Sequence, residues 1–400
     1  MTHYGPARRM LVLIALAEFL AMTLWFSATA VTPALVATFH MTGGEAAWLT
    51  MAVQAGFVAG TLVTAIFNLA DVINARHLFA IGCLVGAAAN AGVTASTGAT
   101  EAIALRLVTG VALAWVYPPG MKIVAGWFEH RRGTALGILI GALTIGSAFP
   151  HLLAAFSADL PWRQVVLTSS VLALAAGAII VLGVRDGPYV AASAPFDPRA
   201  ALKVLTNRGT RLATFGYLGH MWELYAVWTW MATFAAASLH AWAATHARSV
   251  AAGSGSLAAF VAIGSGAIGA AAAGVAADRL GKARVAAWAM VVSGLCCLLA
   301  GPAFGASPVW LYTLIVVWGI AVVADSAQFS ALVAEYSPRD HVGTALTVQT
   351  CAGFLLTMVS IRLLPVAARS IGWQWGFVVL VPGPVFGVLA MRGLRRSPIT

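Results

Sequence analysis

Charge-poor apolar runs of about 20 residues or more recur along the whole chain, each long enough to cross a bilayer as a helix. In hydrocarbon the backbone must satisfy its own hydrogen bonds, which leaves only helices and closed barrels. These runs are apolar on all sides rather than alternating, so helices are expected and a transmembrane barrel is not. Composition agrees, at 60% hydrophobic and 9% charged residues, where soluble domains are about a quarter charged. A cytoplasmic enzyme, a DNA-binding module and a disordered scaffold are all excluded.

Reading the runs between charged punctuation predicts an all-α membrane protein of twelve transmembrane helices. They fall at about 10–36, 46–67, 76–97, 102–127, 133–157, 162–184, 211–238, 249–275, 284–304, 308–333, 343–366 and 373–391. The first follows Arg8 and Arg9 like a signal peptide, but it is too long for one and carries Glu18. The formal charge of +10 reads as the basic excess of cytoplasmic loops rather than as a nucleic-acid footprint. Of 23 Lys and Arg, only Arg163, Arg248 and Arg369 fall outside when both termini are placed in the cytoplasm. Arg106, Lys122 and Arg362 lie within spans, and the rest, including Arg131, Arg132, Arg199, Lys203 and Arg208, lie inside. That asymmetry predicts a multi-pass protein with both termini in the cytoplasm, and the inner (plasma) membrane of the cell is its expected location. Cys83, Cys296, Cys297 and Cys351 all sit in apolar runs and are read as small core residues without disulfides.

The longest polar connector, 185–210, holds Pro188, Pro195 and Pro198 and divides the chain into halves 1–184 and 211–400. The halves resemble each other. Glu18 precedes Trp25 by seven residues, as Glu223 precedes Trp230, and Asp71 answers Asp278. The tetrapeptide at Gly133–Leu136 recurs identically at Gly343–Leu346. His151 and Trp162 answer Arg362 and Trp373, and the offsets rise only from 205 to 211. Two parallel six-helix repeats are the arrangement expected of an alternating-access carrier.

The segment Gly274 to Val285, with Gly274, Asp278, Arg279, Gly281 and Lys282, resembles the loop signature of the major facilitator superfamily. Arg106 to Gly110 is similar to the second signature of that family. The resemblance covers essentially the whole chain and implies two pseudo-symmetric six-helix bundles. It also implies gating roles for Asp71 and Asp278, and in the family the arginine at Arg106 goes with proton-coupled members; snorkelling to the headgroups explains that arginine equally well. The first-half loop keeps Asp71 and Arg76 but has Phe67, Val72 and Asn74 where the signature has Gly, Arg and Gly. Fewer gating contacts are therefore expected there.

An ionisable group at bilayer depth is expensive and needs an account. Glu18, Glu223 and Asp325 are expected to handle protons or the cationic part of a solute. His220, three residues before Glu223, is placed on the same helix face. Lys122 follows a helix-breaking Tyr117-Pro-Pro-Gly run; it either snorkels or faces a cavity, holding an anionic solute or Asp325. His151 and Arg362 form an outer polar pathway or snorkel outward. Trp25 and Trp230 wall a cavity or simply pack helices, and Gln54, Asn90 and Gln349 contact solute or glue helices.

Phosphate loops, paired Cys or His metal motifs and a nucleophile elbow are missing, so no enzyme, no cofactor and no metal is expected. The antiporter signature of the superfamily is also missing. The function expected is proton-coupled uptake of a small organic anion or zwitterion by a monomer, with protons, solute and lipid as partners and no nucleic acid. The alternatives are proton-driven efflux of amphipathic compounds and, in another class, a non-transporting sensor on a carrier fold.

Overall fold

A computed structural model describes residues 4–129, 132–156, 161–189, 196–197, 201, 205–338 and 341–395. Arg131, Arg199, Lys203, Pro195 and Pro198 lie outside the described residues. The described chain is helical, with no strand among its elements. It divides into two compact units, one of 1–150 with 161–197 and one of 151–160 with 198–400.

The first unit contains α1 (Tyr4–Met22), α2 (Thr32–Phe39), α3 (Gly43–Ile66), α4 (Leu69–Val72), α5 (Ala75–Gly92), α6 (Ala99–Leu113), α7 (Tyr117–Trp127), most of α8 (Arg132–Phe156) and α9 (Trp162–Gly183). The second contains α10 (Arg208–Thr245), α11 (Ser254–Leu280), α12 (Lys282–Ala303), α13 (Pro308–Ala324), α14 (Ser326–Tyr336), α15 (Val342–Gly376) and α16 (Pro382–Arg395).

Nine helical segments among the described residues are long and apolar enough to cross a membrane. Expected spans 1 and 7 fall on α1 and α10, which are not among the nine. Spans 11 and 12 form one helical run, Val342–Arg395, bent at Gly372, whose φ of 78° suits glycine.

Several expected spans are broken inside, among them the first, the fourth and the tenth, the last at Asp325 between α13 and α14. The first stops at Met22 and resumes as a 3₁₀ turn at Thr29–Val31. Across the gap, Thr23 and Ser27 donate to the carbonyls of Leu20 and Leu24, drawing the backbone away from regular helix. The fourth breaks between α6 and α7, where Pro118 and Pro119 have no amide to give. Both prolines suit the first turn of a new helix.

Glycines set the tightest packing, and at matching places in each unit. A Cβ on Gly56 or Gly110 would strike the Leu107 or Val53 carbonyl, so α3 and α6 touch backbone to backbone. In the second unit Gly269 and Gly319 meet the Ile320 and Ala262 carbonyls in the same way, joining α11 to α13. This is small-residue packing of membrane helices, and it accounts for Gly110 in the second signature.

Candidate functional site

In the first unit Glu18 is fully buried on α1, inside an apolar cluster that includes Ile14, Ala17, Phe79 and Val116. Neither carboxylate oxygen has a hydrogen-bond partner among the described residues. The room it occupies is made by Gly120 on α7, whose Cβ would stand 2.6 Å from Oε2.

Arg106 is also fully buried, which removes the snorkelling alternative. Its guanidinium fills the break in the first span. Nη1 donates to the Leu24 carbonyl at 3.0 Å, Ser27 Oγ at 3.2 Å and Asn90 Oδ1 at 2.8 Å. Nη2 donates to the Trp25 carbonyl and Nε to that of Leu49 at 3.4 Å. Asn90 in turn donates to the Val166 carbonyl and Ser170 Oγ, at 2.9 and 3.0 Å. One cation thus satisfies the carbonyls that the helix break sets free, and Asn90 acts as glue rather than as a solute contact.

Lys122 is engaged within its own unit. Its ammonium is paired with Asp71 and donates to the Ala70 carbonyl at 2.6 Å, because α7 runs past the short α4 turn. Arg76 holds Asp186 through Nε at 3.1 Å and the Val184 carbonyl through Nη1 at 2.8 Å; Asn74 donates to the same Asp186 at 2.8 Å. Asp278 and Arg279, by contrast, are exposed at the end of α11. No ion pair to either is found among the described residues. Only Lys282 of that loop is engaged, with Glu335 at 2.7 Å, while Gly281 ends α11 at a φ of 87° and Gly274 is exposed. Among the described residues, the loop that departs from the signature is held by Lys122 and Asp186, both outside the signature.

In the second unit Glu223 is buried on α10 and accepts three donors on Oε1. They are Ser293 Oγ at 2.5 Å, Trp318 Nε1 at 2.7 Å and Cys297 Sγ at 3.3 Å. Cys297 thus does more than fill space. His220 does not bond to Glu223, despite sharing its helix. Its Nδ1 lies 2.8 Å from Asp325 Oδ1 and its Nε2 lies 2.9 Å from Ser326 Oγ. It therefore clasps both sides of the α13–α14 junction.

The remaining expectations divide. Trp230 donates to the Ile361 carbonyl at 2.9 Å and packs on Trp373 with centroids 5.8 Å apart, while Trp25 packs on Phe57 at 5.2 Å. Both are helix-packing contacts. His151 is buried, whereas Arg362 is exposed, so the matched positions do not form a like pair. Gln54 and Gln349 are buried with neither amide atom partnered among the described residues. Ser293 and Asp186 were not singled out in the sequence. Ser293 and Cys297 at i and i+4 share one helix face, which was the available signal.

The family model described as Major Facilitator Superfamily matches residues 14–268 and 215–399. An MFS-type transporter, pytF, of Aspergillus terreus is 27% identical over 136 residues, which is 33% of this chain and 45% of that protein. The aligned region therefore spans less than half the length of that relative. Two solved structures share the fold. The nucleoside transporter NupG has a TM-score of 0.72 at 16% identity, covering 96% of this chain and 99% of that one. The human organic anion transporter MFSD10 has a TM-score of 0.71 at 15% identity, covering 97% and 100%. With a family model matched along nearly its whole length, the chain belongs to the Major Facilitator Superfamily and is a multi-pass membrane protein.

Proposed function

We propose that the chain is a proton-coupled carrier working by alternating access, and that Glu18 and Glu223 are its proton-handling groups. The observation that carries this reading is their contrast at matching positions of the two units. Glu18 lies in an apolar pocket with no donor, whereas Glu223 has three donors on one oxygen. A carboxyl without partners suits the neutral acid, and one ringed by donors suits the anion. A carrier that moves a proton needs environments that separate the two forms in this way. Asp325 and His220 form a further exchangeable pair, adjacent to the α13–α14 junction.

The solute is a small organic zwitterion. Lys122, the cation that could hold an anionic solute, is taken by Asp71. The buried amide of Gln54 in the first unit, and separately that of Gln349 in the second, can each offer donor and acceptor to a neutral or zwitterionic molecule. The fold neighbours carry nucleosides in one case and organic anions in the other, so fold does not choose the solute. Placement in the inner membrane, both termini in the cytoplasm and a monomeric carrier complete the reading.

A thermal-shift screen of purified protein against zwitterions, dicarboxylates and nucleosides identifies the probe, since a ligand stabilises the state that binds it. With that probe in reconstituted vesicles, Glu223→Gln is expected to lose pH-gradient-driven accumulation while retaining solute exchange. Unchanged accumulation in both Glu223→Gln and Glu18→Gln removes the coupling role.

A further inference from the structure

At the end of α12 remote from the Arg279–Arg284 loop, the Phe304–Ser307 turn joins α12 to α13, and the two helices leave a groove of about 400 Å³ between them. Leu299, Pro302 and Ala303 line it from α12, and Trp310, Leu314 and Val317 from α13. Small residues open it: where Ala303 and Ala306 stand, bulkier side chains would interdigitate. Its size lies within the range of about 300–1,000 Å³ usual for small-molecule sites.

The lining excludes a polar ligand. Thr313 is the one hydroxyl, and it is spent on the Val309 carbonyl at 2.8 Å. No charged group lines the groove. The surface around it is open, with Trp310 68% and Leu299 52% exposed. In a helix that crosses a membrane, exposed apolar side chains face hydrocarbon. Trp310 lies two residues past the start of α13, where an indole meets the headgroup region.

We infer that this groove is a binding site for one acyl chain of a phospholipid. Its far wall is shared with the Glu223 site. Cys296 lines the groove and its neighbour Cys297 contacts Glu223; Val317 lines the groove and its neighbour Trp318 donates to Glu223. A seated chain therefore sets the α12–α13 spacing on which those two donors depend. This second part rests on the reading of Glu223 given above, whereas the binding site itself does not.

The test uses the full chain in vesicles containing a phospholipid with a photoreactive diazirine midway along one acyl chain. Adducts are mapped by mass spectrometry. They are expected several-fold above the level at Leu355 and Leu389, two exposed positions elsewhere on the second unit. They are expected to concentrate at Leu299, Ala303 and Val317 and to fall to that level in Ala303→Phe. Val317→Trp fills the same groove and serves if the first variant does not fold. Labelling equal to Leu355 and Leu389 in the unmodified chain means ordinary surrounding lipid and overturns the inference, as does labelling that persists in both filled variants. The adduct pattern is expected to survive in Glu223→Gln. A failure of proton coupling would therefore leave this site standing, and a failure of labelling would leave proton coupling standing.

Discussion

Glu18 and Gly120 face each other so closely that a single methyl group on the glycine would come within 2.6 Å of the carboxylate. Gly120 follows Pro118 and Pro119 at the head of α7, so the break that starts this helix also brings its side-chain-free face to Glu18. Gly120→Ala is expected to cost about 1–3 kcal/mol by overpacking, read as a lower unfolding temperature, and to impair gradient-driven accumulation. Glu18→Asp, one methylene shorter, is expected to restore accumulation in the Gly120→Ala background. If the single variant transports normally, Glu18 does not need this contact.

Arg106 is the structural centre of the first unit. Arg106→Leu leaves several buried acceptors without a donor, at a cost of roughly 2–4 kcal/mol. Arg106→Lys keeps the charge but has no planar fork to span two carbonyls and Asn90 together. Both variants are expected to lower the melting temperature in detergent, the leucine variant more, and Asn90→Ala less than either.

Asp71 and Lys122 are expected to show mutual dependence. Their side chains are 17% and 19% exposed, so the pair is neither a free surface bridge nor a dry one. In a double-mutant cycle of Asp71→Asn with Lys122→Gln, a coupling of about 1–2 kcal/mol is expected in thermal unfolding. Additive effects would show that Lys122 serves some other group.

Trp318→Phe deletes one of the three donors to Glu223 while keeping most of the ring volume. A loss of about 2 kcal/mol is expected, as for a hydrogen bond to a charged group, with a smaller loss for Ser293→Ala. In the Glu223→Gln background the penalty of Trp318→Phe is expected to shrink. An equal penalty in both backgrounds would assign the cost to packing against Phe377, whose ring centroid lies 5.0 Å away.

The membrane class and the helical content were legible in the sequence because hydrophobicity and spacing act along the chain. The intramembrane acids were legible for the same reason, since a charge amid apolar residues is conspicuous. Partners were not. Lys122 and Asp71 are 51 residues apart and Glu223 and Trp318 are 95 apart, and such pairings depend on which helix faces meet. Loop similarity says nothing of such pairs: Asp278 has the better motif, and it is Asp71 that has a neighbouring lysine among the described residues. His220 and Glu223 lie about 60° apart on one helix face. Yet His220 bonds to the α13–α14 junction and Glu223 to donors on α12 and α13, because long-range neighbours and not helix spacing choose the partner.

The glycine seams have a mechanical consequence. Where α3 meets α6 through Gly56 and Gly110, and α11 meets α13 through Gly269 and Gly319, there is no side-chain cushion to compress. Each couple is therefore a stiff twin rod, and shear during the transport cycle has to be absorbed along seams filled by flexible side chains. Spin labels placed across a seam should keep one narrow separation through turnover, which makes these couples natural rulers against which every moving part of the carrier can be measured.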